Sequence, residues 1–363
     1  MFYHFLYPLR DVFFGFNVFR YITFRAAGAT VTAFLIIAFL GRPIICWLRA
    51  LKIGETIRRK EDCGALHDLH KSKEGTPTMG GILILIAISG SVLLWADLGN
   101  RYIWMTLGTM LWLGGIGFID DFTKLTRRKG RGVSPSFKMF GQLALGIVIG
   151  ALLYMDPNVG ARLDIPFFKS ALVMLGPFYI FFASMVIIGT SNAVNLTDGL
   201  DGLAIGCVLV VALTYSGLCY VTGHSVISDY LQIIYIPHMG ELAVFCAAMF
   251  GAGLGFLWYN CHPAEVFMGD TGALALGGVL GAVSLMIKKE LLLVLVGGIF
   301  VAEAVSVIIQ VVSFRYRKKR VFLMAPLHHH FQLKGWPESK VIFRFLIVAV
   351  ILALVSLSSL KLR

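Results

Sequence analysis

The chain has 363 residues, 58% of them hydrophobic and only 14% charged, with a mean hydropathy of +0.80 and a formal net charge of +12. Ordinary globular domains are about 25% charged, so this balance excludes a soluble enzyme that merely carries an anchor. Six cysteines (Cys46, Cys63, Cys207, Cys219, Cys246, Cys261) with no CxxC and no paired spacing exclude a disulfide framework or a zinc site; most sit in or beside apolar runs, where a free thiol behaves as a small hydrophobe.

In chain order, the first residues FYHFLYPLRDVFFGFNVFRY lack the basic, apolar, small-residue order of a cleavable signal peptide. After them come runs of about 20 apolar residues, each able to cross about 30 Å of hydrocarbon. Ten spans are predicted, near 23–48, 78–96, 102–119, 137–155, 171–190, 200–220, 240–259, 266–286, 291–313 and 341–360. The fold class is therefore an all-α polytopic integral membrane protein, read as one domain over 1–363 with main cytoplasmic loops at 49–77, 120–136, 191–199, 260–265 and 314–340.

Orientation follows from Lys and Arg. Loop 49–77 carries seven (Arg49, Lys52, Arg58, Arg59, Lys60, Lys71, Lys73), loop 120–136 five and loop 314–340 seven, whereas the connections near 97–101, 156–170, 221–239 and 287–290 carry five in all. The positive-inside rule places the basic loops in the cytoplasm and both termini outside, in the periplasm. That basic face suits anionic headgroups or an anionic soluble substrate.

Every polar cluster with chemical potential falls on a cytoplasmic connection: KEGTPTMGG, IDDFTK, NAVNLTDGLDG, NCHPAEVFMGD and MAPLHHHFQLKGWPE. Five loops converging on one side predict a single cytoplasm-facing site. In GFIDDFTK the adjacent Asp120 and Asp121 end an apolar run. Carboxylates at a helix end can simply reach water, but the C-terminus is the negative end of the helix dipole and a poor place for two acids. A divalent cation would reverse that penalty. Asp270, in VFMGDTG, is a third acid at the same depth, and a lone intramembrane acid is a functional candidate by default. Three aspartates and no Cys/His set suit Mg²⁺ or Mn²⁺ bound together with a phosphate-bearing ligand.

NLTDGLDG spaces Asn195, Asp198 and Asp201 three residues apart, on one face if the segment is helical. Such a face can hydrogen-bond a ribose or base; the plainer reading makes Asp198 the cap that starts span six. Phe267 can offer a stacking surface, although aromatics beside a span are commonly belt residues. Asn260 reads first as the end of span seven. The tract His328–His330 suits either a metal or phosphate, and Lys73 and Lys124 are ordinary inside-loop charges until the acids give them a context.

GTPTMGG, FIDDFTK, NAVNLTDGLDGLA, VFMGD and MAPLHHHFQLKGWPE together resemble the phospho-N-acetylmuramoyl-pentapeptide-transferases, of the polyprenyl-phosphate N-acetylhexosamine-1-phosphate transferase superfamily. The resemblance runs from about residue 14 to the C-terminus. It implies ten transmembrane helices, a homodimer in the bacterial cytoplasmic (inner) membrane, and Mg²⁺. It also implies transfer of phospho-MurNAc-pentapeptide from UDP-MurNAc-pentapeptide to undecaprenyl phosphate, a membrane lipid, giving lipid I and UMP in peptidoglycan synthesis, with no nucleic-acid partner. By resemblance, Asp120, Asp121 and Asp270 are essential acids, Asp270 being the metal ligand, and His329 joins them as catalytic. Lys73, Asn195, Asp198, Asp201 and Phe267 match substrate-binding positions of the nucleoside side, and Thr78 matches a substrate-binding position. Lys124, Asn260, Gln310, His328 and His330 match further binding positions. The segment EDCGALHDLH (61–70) matches no motif.

Moving a phosphosugar between two phosphates is mostly positioning and charge neutralisation. Two routes are open. Asp120 can deprotonate undecaprenyl phosphate for direct attack, the favoured route because a phosphate with a second pKa near 6 needs little activation; alternatively, an aspartate attacks first and forms a covalent intermediate. Two rival readings are weighed. A sister transferase would use UDP-GlcNAc with the same acids, and MAPLHHHF argues against it. A transporter would place its acids at the bilayer midplane.

Overall fold

The computed structural model describes residues 1–50, 75–126, 132–168 and 172–361. A short helix α1 (Phe2–Leu6) and 3₁₀ turns precede the first long helix, α2 (Ile22–Ala50). Then follow α3 (Gly81–Trp95), α4 (Arg101–Thr126), α5 (Pro135–Tyr154), the strands β1 (Arg162–Asp164) and β2 (Leu172–Met174), α6 (Phe178–Thr197) and α7 (Leu203–Thr222). The rest are α8 (Ser225–Leu231), α9 (Leu242–Asn260), α10 (Gly269–Met286), α11 (Glu290–Val296), α12 (Gly298–Arg317), α13 (Leu327–Leu333) and α14 (Glu338–Ser358).

Among the described residues, nine helices are long and apolar enough to span a bilayer, and α3 is a tenth, shorter apolar helix at the position of predicted span two. At 1.5 Å per residue α3 reaches only about 22 Å. Predicted span five starts later than its hydropathy suggests, because Leu172–Met174 pairs antiparallel with Arg162–Asp164 before α6 begins at Phe178. A β-hairpin with apolar residues cannot be told from the start of an apolar helix by hydropathy alone. Predicted span nine is divided into α11 and α12 at Gly297.

The most enclosed span is α10, with 89% of its apolar window buried. Its sequence, GDTGALALGGVLGAVSLM, carries glycines that let neighbours approach: a Cβ on Gly277 would meet backbone and side-chain atoms of Thr190, Ser191 and Val194 within about 3 Å. On the facing α4, a Cβ on Gly117 would lie 2.3 Å from the Asp270 carbonyl oxygen. The two backbones thus touch at the level of the three acids, and that contact fixes the site.

At the opposite end, Arg25 of α2, only 2% exposed, makes two hydrogen bonds of 2.6 and 2.5 Å to the Glu241 carboxylate at the foot of α9. Removing one partner of a buried pair leaves an uncompensated charge. Arg25→Met is expected to cost about 3–5 kcal/mol, with Arg25→Met/Glu241→Leu regaining most of it; thermal unfolding in detergent reads both. On the same face Lys289 pairs with Asp164 of β1, and Lys288 donates to the Gly160 carbonyl at 2.7 Å. Burial pushes the Lys288 ammonium down to about 8.

Candidate active site

Helix α4 runs on to Thr126, so Asp120 and Asp121 lie in its last two turns, both buried. Asp270 sits in the first turn of α10, behind Gly269. Gly269 has φ +72°, and a Cβ there would lie 2.7 Å from Asp121 Oδ2 and 3.1 Å from Thr78 Oγ1. Glycine is needed at this position for both conformation and space. Ligand oxygens of Asp120, Asp121 and Asp270 all lie within 4.8 Å of one another.

The two adjacent acids do different work. Asp121 accepts the Asp270 N–H at 3.2 Å on Oδ1, and on Oδ2 the Thr271 N–H at 2.9 Å and the Thr271 hydroxyl at 2.8 Å. It caps the positive end of α10, so part of the cost of a carboxylate at the C-terminal end of α4 is offset by another helix's N-terminus. Asp120 instead faces cations: its Oδ2 lies 2.7 Å from Lys124 Nζ and 2.8 Å from Lys138 Nζ. That oxygen accepts no well-aligned hydrogen bond among the described residues, while Oδ1 accepts the Val133 N–H at 2.9 Å.

Asp270 joins the same cations, at 3.2 Å from Lys124 and 2.5 Å from Lys138, and accepts the Asn195 amide at 3.0 Å. The charge of the acids is therefore met by two lysines and a helix dipole, before any metal is considered. With all three carboxylates ionised, three negative charges face two positive ones and one remains. The donors are hard oxygens, the type Mg²⁺ prefers. Asp270 accepts from side chains, and Asp120 Oδ2 accepts no aligned hydrogen bond among the described residues, so these two offer the oxygens that can hold it; both oxygens of Asp121 already accept donors from the start of α10.

A second group forms where α6 ends. The expected single helical face over Asn195, Asp198 and Asp201 does not form, because α6 stops at Thr197 and α7 starts only at Leu203. Asp198 is the C-cap of α6 and not the start of the next helix, whose N-cap is Gly202 at φ +77°. From the last turn of α6 Asn195 reaches Asp270, while in the turn Asp201, 4% exposed, accepts the Ala264 N–H at 3.1 Å and lies 3.0 Å from His262 Nδ1. The Asp201 N–H in turn donates to Glu338 at 3.0 Å. Asn260 is committed to structure: it accepts the Gly202 N–H at 3.0 Å and donates to the Val266 carbonyl at 2.8 Å. Phe267 is half-buried, its backbone joined to Pro77 and Gly80 on the segment that carries Thr78.

The three histidines diverge. His328 is fully buried, with Nδ1 3.1 Å from Glu303 Oε1. His329 lies 2.9 Å from Gln332, and His330 accepts the Leu323 N–H at 3.1 Å. Burial and Lys334 hold the His330 imidazole below its ordinary value. Among the described residues none of the three joins a metal-ligating group. Gln310 folds the following loop, accepting the Val321 and Phe322 N–H groups at 3.1 and 3.0 Å. Lys73 lies outside the described residues.

Sequence reasoning missed four residues: Lys138, Glu303, His262 and Glu338. Glu303 carried a usable signal, a lone acid inside GIFVAEAVSV, the same rule that selected Asp270. Lys138, in the first turn of α5, fell just inside predicted span four and so outside the loop charges.

A bundle of apolar helices with a carboxylate–lysine centre at one set of helix ends defines a polytopic membrane protein equipped for phosphate chemistry. Residues 103–288 match the family model described as glycosyl transferase family 4, and residues 73–85 match phospho-N-acetylmuramoyl-pentapeptide-transferase signature 1. The chain is 54% identical over 364 residues to the phospho-N-acetylmuramoyl-pentapeptide-transferase of Desulfovibrio desulfuricans, and 52% identical over 363 residues to that of Citrifermentans bemidjiense, in each case across 100% of both chains. It belongs to the phospho-N-acetylmuramoyl-pentapeptide-transferase family.

Proposed function

We propose that the protein transfers phospho-MurNAc-pentapeptide from UDP-MurNAc-pentapeptide to undecaprenyl phosphate at the cytoplasmic face of the bacterial inner membrane, releasing UMP and forming lipid I. The carrying observation is the centre itself: Asp120 and Asp270 face Lys124 and Lys138 at the ends of apolar helices, where a lipid phosphate and a soluble diphosphate can meet. The names of the full-length relatives favour a MurNAc-pentapeptide donor over UDP-GlcNAc.

Asp120 Oδ2 acts as the base toward the lipid phosphate, whose oxygen then attacks the β-phosphate of the donor. Lys124 and Lys138 neutralise charge on the phosphates as it redistributes, a role for fixed cations that need no reorganisation during the step. Asp121 and Asn195 keep Asp270 in place. Mg²⁺ held by Asp270 would polarise the diphosphate and offset its charge. The turn 198–202 with Phe267 takes the nucleoside, and His329 supports the phosphates. The family resemblance supports a homodimer.

The test is fluorescent UDP-MurNAc-pentapeptide added to membranes with undecaprenyl phosphate. A lipid-soluble fluorescent product is expected with this donor and not with UDP-GlcNAc; the opposite preference overturns the assignment. Orientation is checked by cysteine labelling in a background lacking Cys46, Cys63 and Cys261. A cysteine at the exposed Ser136 is expected to react only from the cytoplasm, and one at the exposed Val226 only from outside.

A further inference from the structure

Glu303 stands in the second turn of α12 and is 0% exposed. Its Oε1 accepts the His328 backbone N–H at 3.2 Å and lies 3.1 Å from His328 Nδ1, while Oε2 has no hydrogen-bond partner. No lysine or arginine pairs with it among the described residues; its polar partner there is one residue of the histidine tract. An apolar side chain of similar volume would be cheaper inside a span. Stability therefore does not account for this acid.

His328 is equally enclosed, and its Nε2 also lacks a hydrogen-bond partner. That edge of the ring abuts Gly199: a Cβ there would lie 2.3 Å from Nε2. Gly199 belongs to the turn that carries Asp198 and Asp201. The chain of contact runs from Glu303 to the His328 ring, and from the ring to the turn.

We infer that Glu303 is a positioning residue: by holding the His328 main chain and ring together, it seats the ring against Gly199 and fixes the turn 198–202 that binds the nucleotide. This rests on the nucleoside reading of that turn. Two hydrogen bonds from one residue to one carboxylate oxygen set both the helix α13 and the ring orientation, a placement a single contact would leave free to swivel. Because the His329 ring packs 4.2 Å from that of His328, a general shift of α13 would disturb chemistry, whereas loss of the ring contact alone disturbs nucleotide affinity.

The experiment measures UMP affinity by calorimetry on the purified full-length protein, with KM and kcat for UDP-MurNAc-pentapeptide. Glu303→Ala is expected to weaken UMP binding and raise KM about tenfold or more, with kcat changed less than about threefold. Glu303→Gln, whose amide oxygen can accept the same donors, stays within about threefold of the unmodified protein. Gly199→Ala weakens UMP about as much as Glu303→Ala, and the double variant loses far less than the product of the two. Unchanged UMP affinity in Glu303→Ala, equal damage from Gln and Ala, or fully multiplicative losses would each overturn the inference. Should Glu303→Ala not fold, normal UMP affinity in Gly199→Ala overturns it, and so does a loss in Glu303→Gln as large as that of Gly199→Ala. An unmodified protein that fails to bind UMP overturns the nucleoside reading as well, whereas intact binding with an indifferent Glu303→Ala overturns this inference alone.

Discussion

Asp120→Asn is expected to lower kcat by about 10²- to 10⁴-fold, the range contributed by a general base, while donor binding and thermal stability stay near normal. The side chain keeps its shape and its Oδ1 still accepts the Val133 N–H. What is lost is the negative charge on Oδ2, the atom that faces Lys124 and Lys138 and accepts no aligned hydrogen bond among the described residues. The neighbouring Asp121→Asn is expected to behave differently. Its two oxygens receive three donors from the start of α10, so an amide must turn an N–H toward an N–H or O–H. That costs about 1–3 kcal/mol, read as a fall in melting temperature, and it reduces turnover indirectly by loosening Asp270. Steady-state kinetics and thermal unfolding on both variants decide the matter. If Asp121→Asn removes kcat with an unchanged melting temperature, the roles of the two acids are reversed.

That contrast was not legible in the sequence. Adjacency and helix-end position mark Asp120 and Asp121 as a pair in need of compensation, and the hydropathy pattern puts Asp270 at their depth. Neither says which acid points at a cation and which at a backbone, because consecutive helical residues diverge by about 100° and the outcome depends on how α4 meets α10. The close approach of Gly117 to Asp270 settles it. The sequence likewise suggested a divalent cation as the answer to the repulsion, whereas two lysines and a helix N-terminus already answer much of it. Lys138 lay just inside predicted span four, outside the loops whose charges were counted.

The spans were legible because hydrophobic length is a one-dimensional property. Nine of the ten predicted positions hold a long apolar helix, and the tenth holds the short α3. The turn NLTDGLDG was legible as polar and glycine-rich but not in shape: three-residue spacing suggests one helical face, while Gly202, at φ +77°, lies just before the start of α7. Asn260 and Gln310 match family positions, yet in this fold each amide is engaged by backbone groups, so their contribution to the site runs through the loops they hold.

Asp270→Asn is expected to abolish turnover and to remove its saturable dependence on Mg²⁺. Asp270 touches more of the centre than either partner, meeting Lys124, Lys138 and Asn195. Replacing its carboxylate by an amide removes the anionic ligand oxygen proposed to hold the cation, and a hard divalent cation prefers a carboxylate there. The new amide also presents N–H groups toward Asn195 Nδ2 or Lys138 Nζ, both donors, so at least one contact becomes repulsive. Folding should survive, since the Asp270 main chain stays capped by Asp121. The measurement is Mn²⁺ binding by electron paramagnetic resonance alongside the Mg²⁺ titration of activity. Tight Mn²⁺ binding retained by Asp270→Asn, with near-normal turnover, would remove Asp270 from the metal and place the cation elsewhere. Binding lost in Asp270→Asn but kept in Asp121→Asn is the expected pattern, because both Asp121 oxygens already accept donors from the start of α10.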